Sequence, residues 1–183
     1  MLLKCHGTLV EGFNESLIAA ISSFPSPSQP QQDQQQVKKA ASLVHASQLD
    51  NVPTRGLSAN LIHLQALLFM AVQAGNHPPR SSRSQSTGYT MLWLTQAVGL
   101  AYQLKLHVQR QPEKGAESDP DSDDKLARRA WWTLVIMDRW HASSTASPLL
   151  IPDSSVVIYR EDRALLGESI YQLARECLAQ CDT

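Results

Sequence analysis

Apolar side chains recur along this chain at spacings of three and four, the repeat of a helix with one buried face, and they seldom alternate as in a strand. Leu9, Val10, Phe13, Leu17, Ile18 and Ile21 predict a helix over residues 9–24. Residues 25–36, from Pro25 to Gln36, are built of Pro, Ser, Gln and one Asp, with no side chain to join a core, so they predict a disordered linker. Residues 37–49 form a weaker helical stretch, and Pro53 and Gly56 break the chain after it. Leu61, Leu64, Leu68 and Val72 then make one stripe over residues 57–74, stopped by Gly75 and by Pro78-Pro79.

A third strong helix is expected from Thr87, a natural N-cap residue, to about Leu106, with Leu94, Ala97, Val98, Ala101 and Leu104 on one face. Residues 107–122 are polar, contain Pro112 and Pro120, and predict a loop. Ser122 or Asp123 can cap the helix that follows, where acidic side chains suit the positive helix end. From Trp131 to Met137 that helix is apolar at every position except Thr133, a pattern that predicts burial on all sides. Ser147 to Asp153 reads as an extended apolar loop. One last helix from Asp162 carries Leu166, Ile170, Leu173, Ala174 and Cys177 as its stripe. The fold class is all-α, an irregular helical bundle in three parts: 1–24, an N-terminal helical segment; 25–56, linker and weak helix; 57–183, the main helical domain. There is no internal repeat of solenoid length.

Composition narrows the partners. The 183 residues are 43% hydrophobic and 18% charged, with Lys plus Arg 16 against Asp plus Glu 17, a net charge of -1. A nucleic-acid reader draws most of its affinity from a basic excess, which is missing. The three cysteines, Cys5, Cys177 and Cys181, cannot close a disulfide framework or supply a four- or six-cysteine zinc site. Lys4 and His6 interrupt any secretory core. The longest apolar stretch, residues 61–74, holds His63, Gln65 and Gln73 and falls short of the ~20 residues of a membrane span. A soluble intracellular protein is expected.

Candidate chemistry is sparse. The run Asp119 to Asp124 imitates a calcium loop, but Asp124 and Ala130 stand where the sharp-turn Gly and the bidentate Glu are needed. Cys177 and Cys181 are one helical turn apart with no third ligand nearby, so packing is the better reading. The six histidines have no paired metal spacing, and no nucleophile elbow or phosphate loop exists. An enzyme would need Asp138, His141 and Ser143 to share a pocket. Trp131, Trp132 and Trp140 could form a ligand cluster, although aromatics at helical spacing are more often core. Asp138 says more: it lies seven residues after Trp131, on the aromatic stripe. A carboxylate there must be paired, with Arg128, Arg129 or Arg139 as partner.

Three blocks together resemble a known family. Leu64-Gln65-Ala66-Leu67-Leu68 comes first, and Ala97 to His107 second. The third runs from Arg128-Arg129-Ala130-Trp131-Trp132 through Asp138-Arg139 to Ser147-Pro148-Leu149-Leu150-Ile151-Pro152-Asp153. Their order and spacing resemble the middle homology region of fungal transcription factors of the binuclear zinc-cluster type. The segment after Asp138 looks closest to regulators of sugar and hexose-transporter genes. The signature positions are Arg128, Arg129, Trp131, Trp132, Asp138, Arg139, Pro148 and Asp153. Two family glycines are replaced, by Lys105 before Leu106 and by Ala146 in the pair before Pro148. The second replacement puts the loop's turn in question, since Gly supplies positive φ at little cost.

The resemblance implies a nuclear regulator of RNA polymerase II transcription, with no catalytic, cofactor or metal residues in this chain. In the full-length protein it implies a six-cysteine domain with two zinc ions that reads DNA, and a coiled coil that makes a homodimer. Corepressor or coactivator proteins and a small-molecule effector are the implied partners of the middle region. The chain is then expected to be a partial regulatory segment, because its all-apolar helix asks for more covering chain. The alternative is a free-standing helical interaction or scaffold protein.

Overall fold

The computed structural model describes residues 38–45, 56–76, 83–108 and 122–179. The stretch 9–24, the 25–36 linker, the acidic run 119–121 and Cys5 and Cys181 lie outside the described residues. Among the described residues every regular element is helical and there is no strand, so the fold is all-α. The chain divides into two compact units, Met1–Ala97 and Val98–Thr183.

In the first unit, α1 (residues 38–45) buries Ala40 and Val44, one turn apart. The His45 ring lies 4.8 Å from that of Trp93. Helix α2 (Leu57–Asn76) buries Leu61, Leu64 and Leu68 as the stripe predicts, while Val72, at the wet end, is exposed. Buried Asn60, His63 and Gln73 share this helix, and none lacks a partner. The helix is longer than its apolar stretch suggested: Leu57–Gly75 meets the length and hydropathy of a membrane span, with 61% of that window buried within the protein. Polar side chains buried together with apolar ones are the pattern of a core helix.

Helix α3 (Arg83–Gln103) begins four residues before Thr87, so Thr87 is not its cap. The Ser, Arg and Gln residues there include no Pro or Gly to stop the helix running back. Trp93, Leu94 and Ala97 are buried before the unit boundary, and Val98, Leu100 and Ala101 after it; Leu104 is half-buried. The helix ends at Gln103 instead of Leu106. Lys105 turns left-handed, at φ 55. The Leu106 N–H donates to the Ala101 carbonyl at 3.0 Å and the Lys105 N–H to the Tyr102 carbonyl at 3.0 Å. These two bonds are a Schellman cap, which folds buried Leu106 back under the helix end.

In the second unit, α4 (Asp123–Thr145) starts after Ser122, whose backbone is extended but whose side chain makes no capping bond. Asp123 and Asp124 occupy the first turn, where the helix dipole favours them. Trp131, Trp132, Leu134, Val135 and Ile136 are buried, and Thr133 alone of the run is exposed. The burial is thus nearly all-round. Each large apolar side chain so placed contributes about 1.5–3 kcal/mol. A single last helix does not form. Gly167, at φ 77 and ψ 161, separates α5 (Asp162–Leu166) from α6 (Glu168–Ala179), and a 2.7 Å bridge from Arg163 to Glu168 straddles the break. Helices α4, α5 and α6 pack together. Ala174 and Cys177 face inward, Leu166 and Leu173 are half-buried, and Ile170 is exposed. The early break rotates the second half away from the register one continuous helix would keep.

Candidate functional site

The signature residues converge on α4 and the chain that follows it, all within the second unit. Two ion-paired knots hold that chain down, one at each half of the helix.

The first knot is at the C-terminal half. Asp138 is 1% exposed. One oxygen accepts the Leu150 N–H at 3.1 Å; the other accepts the Ile151 N–H at 3.0 Å and Arg139 Nη1 at 3.2 Å. Arg139 also donates to the Ile151 carbonyl at 2.9 Å and to Asp153 Oδ1 at 2.6 Å. A helical carboxylate therefore takes the amides of an irregular segment that has no secondary structure to satisfy them. Ile151 is locked at full burial between these bonds. The turn into the segment is made by Ala146 at φ 53, with the Ser147 N–H returning to the Ala142 carbonyl at 3.2 Å. Thr145 Oγ1 reaches the His141 carbonyl at 2.6 Å and Ser147 Oγ at 2.7 Å, which braces the turn. The left-handed turn is thus made by an alanine. Pro148 sits just beyond it, exposed.

The second knot is at the N-terminal half, and it is not the one anticipated. Arg128 pairs with Asp162, 34 residues later, and leaves Asp138 alone: Nε meets Oδ1 at 2.8 Å and Nη2 meets Oδ2 at 2.7 Å. Nη2 also donates to the Val157 carbonyl at 2.6 Å. The guanidinium lies 5.3 Å from the Trp132 ring and 4.7 Å from that of Tyr159, between two aromatic faces. Asp162, 2% exposed, takes the Tyr159 N–H at 2.8 Å as well. A planar fork, a bidentate carboxylate and flanking rings use each property that separates Arg from Lys. Arg129 donates to the Leu165 carbonyl at 3.4 Å.

Of the three cations weighed for Asp138, only Arg139 is its partner. Asp162 and Tyr159 were missed. The one clue to them was a basic pair beside a Trp pair. Trp131 and Trp132 are buried, whereas Trp140 is 59% exposed and does not join them. The hydrogen bonds of Asp138 go to Arg139, Leu150 and Ile151, so both its oxygens are already occupied. No group of three His, Cys, Asp or Glu side chains suited to a metal occurs among the described residues. What the arrangement does is mechanical: it clamps an irregular segment onto a buried helix, chiefly through the buried charges of Asp138, Arg139 and Asp162.

Comparisons with known proteins bear on these same residues. A family model described as the fungal specific transcription factor domain matches residues 4–158. Over 120 residues, 65% of this chain, the sequence is 38% identical to an uncharacterized transcriptional regulatory protein of Schizosaccharomyces pombe. The chain spans only 14% of that relative's length. No solved structure matches it significantly.

Proposed function

This chain belongs to the fungal-specific transcription factor domain family, and from that we propose that its two-knot helical body is a regulatory module of a DNA-binding factor acting in the nucleus on RNA polymerase II promoters. The observation that carries the reading is the family match over residues 4–158, which includes every signature position from Arg128 to Asp153. DNA contact belongs, on this reading, to a binuclear zinc-cluster domain with two zinc ions, and dimerisation to a coiled coil. The net charge of -1 supports assigning phosphate contacts elsewhere. The module works by binding, through corepressor or coactivator proteins and a small-molecule effector, and not by catalysis. Carbohydrate and hexose-transport genes are the proposed targets.

A tethering assay tests this. Residues 1–183 fused to a heterologous DNA-binding domain are expected to change output from a matched fungal reporter several-fold, up or down. The segment alone should give no salt-sensitive shift of duplex DNA. Unchanged reporter output from a stably expressed fusion would overturn the reading, as would DNA binding by the segment itself.

A further inference from the structure

Four hydroxyl side chains gather at the end of α4: Ser143, Ser144, Thr145 and Ser147. The first three are helical. Ser147 lies past the left-handed turn at Ala146, where the chain has left the helix. It is half-buried, between exposed Ala146 and exposed Pro148. A residue that precedes proline is pushed away from the helical region and toward extended backbone. The Ser147 hydroxyl is bonded to Thr145 Oγ1 at 2.7 Å. Thr145 has a single hydroxyl proton, and the His141 carbonyl takes it at 2.6 Å. Ser147 is therefore the donor in the hydroxyl pair, and its proton is what closes the brace on the turn.

We propose that Ser147 is a phosphorylation site for a proline-directed kinase, and that the phosphate releases residues 147–151 from Asp138. Ser147 Oγ attacks the γ-phosphorus of magnesium-bound ATP. The new O–P bond replaces the bond from that phosphorus to the β–γ bridging oxygen, the hydroxyl proton passes to a carboxylate of the kinase, and ADP leaves. Such a kinase takes an extended substrate whose hydroxyl is followed by proline, a residue with no backbone N–H to satisfy. Ser143, Ser144 and Thr145 have neither the proline nor the extended backbone. Once esterified, Ser147 Oγ has no proton to give. Thr145 then faces a second acceptor, or turns to the phosphate and abandons the His141 carbonyl. The added charge of about −1.5 to −2 stands past the C-terminal end of α4, where the helix dipole repels an anion. From Trp140 to Tyr159 the chain has no Lys or Arg to offset it. Arg139, just before, is 4% exposed and already bonded to Asp138, Asp153 and the Ile151 carbonyl. The Ser147 N–H returns to the Ala142 carbonyl, and three residues later the Leu150 N–H meets Asp138. A turn forced open at Ser147 thus pulls directly on the Leu150 and Ile151 amides. The Arg128–Asp162 knot, which holds the Tyr159 N–H, lies beyond the disturbed turn and stays closed.

The site stands on the turn's geometry, and its regulatory meaning rests on the transcriptional reading. Phosphate transfer and amide exchange are measured without a promoter, so failure here and failure of the reporter assay are distinct results. The chain's other Ser-Pro pair, Ser26-Pro27, is removed by Ser26→Ala in the full 183-residue protein. That protein is treated with an active mitogen-activated protein kinase and magnesium ATP, and the modified residue is located by peptide mass spectrometry. One phosphate is expected, on Ser147, and none once Ser147→Ala is added. Hydrogen exchange at the Leu150 and Ile151 amides should then quicken roughly tenfold, with Tyr159 unchanged. Ser147 left bare by a kinase that modifies a control Ser-Pro peptide overturns the proposal. Full modification with unaltered exchange at Leu150 and Ile151 also overturns it. So does equal acceleration at Tyr159, since the phosphate would then unfold the unit instead of opening one turn.

Discussion

Replacing Asp138 by Asn keeps the shape of the side chain and changes only its charge and donor pattern. In the parent, both oxygens accept: two backbone amides on one side and Arg139 beside them. Asn retains one acceptor and turns an amide N–H toward a group that also donates. One charge-assisted bond is lost, about 1.5–3 kcal/mol. Arg139, only 4% exposed, keeps Asp153 and the Ile151 carbonyl, so part of the roughly 3–5 kcal/mol cost of breaking a buried pair is avoided. Together these give a loss of about 3–4 kcal/mol. At roughly 2–4 °C per kcal/mol for a chain of this size, the thermal midpoint should fall by roughly 6–16 °C. Asp153→Asn is the internal control. That carboxylate is 53% exposed, and its loss leaves Arg139 still paired with Asp138. Its expected cost is about 1 kcal/mol or less. Urea unfolding followed by both tryptophan emission and far-ultraviolet dichroism reads the two variants. An Asp138→Asn cost below about 1 kcal/mol, or equal costs for the pair, would refute burial as the source of the difference.

Other substitutions separate backbone strain from contact. Lys105→Gly and Ala146→Gly, at φ 55 and φ 53, should each stabilise the fold by about 0.5–1 kcal/mol and so raise the urea midpoint, because a left-handed residue with a Cβ is strained; a lowered midpoint in both would contradict this. Gly167→Ala meets no atom within 4 Å of the new Cβ, so its cost of about 1–3 kcal/mol is purely conformational, and hydrogen exchange should show it as faster opening of α6. The Glu168 carboxyl is held below its ordinary value of 4.5, first by the hydrogen bond from Arg163 and then by that from Gln172. A depressed acid stabilises the fold above its unfolded value, and that contribution vanishes as pH falls through the lowered one. Carbon-13 titration of Glu168 should find a midpoint below 4.5 in the parent and closer to it in Arg163→Gln.

Periodicity was enough to read the all-α class, the stripe of α2 and the buried core of α4, because a helix burying one face, or every face, writes that face into its own local sequence. The same locality explains what stayed hidden. That Asp138 had to be paired followed from its place among tryptophans, but the amides of Leu150 and Ile151 became its partners through a loop closure that no spacing announces. Arg128 chose an acid 34 residues away over one ten residues away on its own helix. Side chains ten residues apart lie on neighbouring faces but nearly three turns apart, too far to meet. Gly167 was visible as a residue, yet in an otherwise helical pattern a lone Gly does not declare whether it bends, ends or merely weakens the helix. Lys105 and Ala146 carry no local mark of a left-handed turn. Only the resemblance, with its glycines near those two positions, pointed to them, and both residues are left-handed in the structure.

The Arg128–Asp162 pair also redraws where this domain stops. The family match closes at residue 158, between the Val157 carbonyl and the carboxylate that share one guanidinium. A border set by recurring letters and a border set by electrostatics therefore fall in different places, and the second is the one that a folding chain obeys. Trimmed to the first, the protein would keep both tryptophans and strand a cation beside them. It would be correct as a motif and unfinished as an object, so excision for domain-swap or two-hybrid work belongs downstream of Asp162.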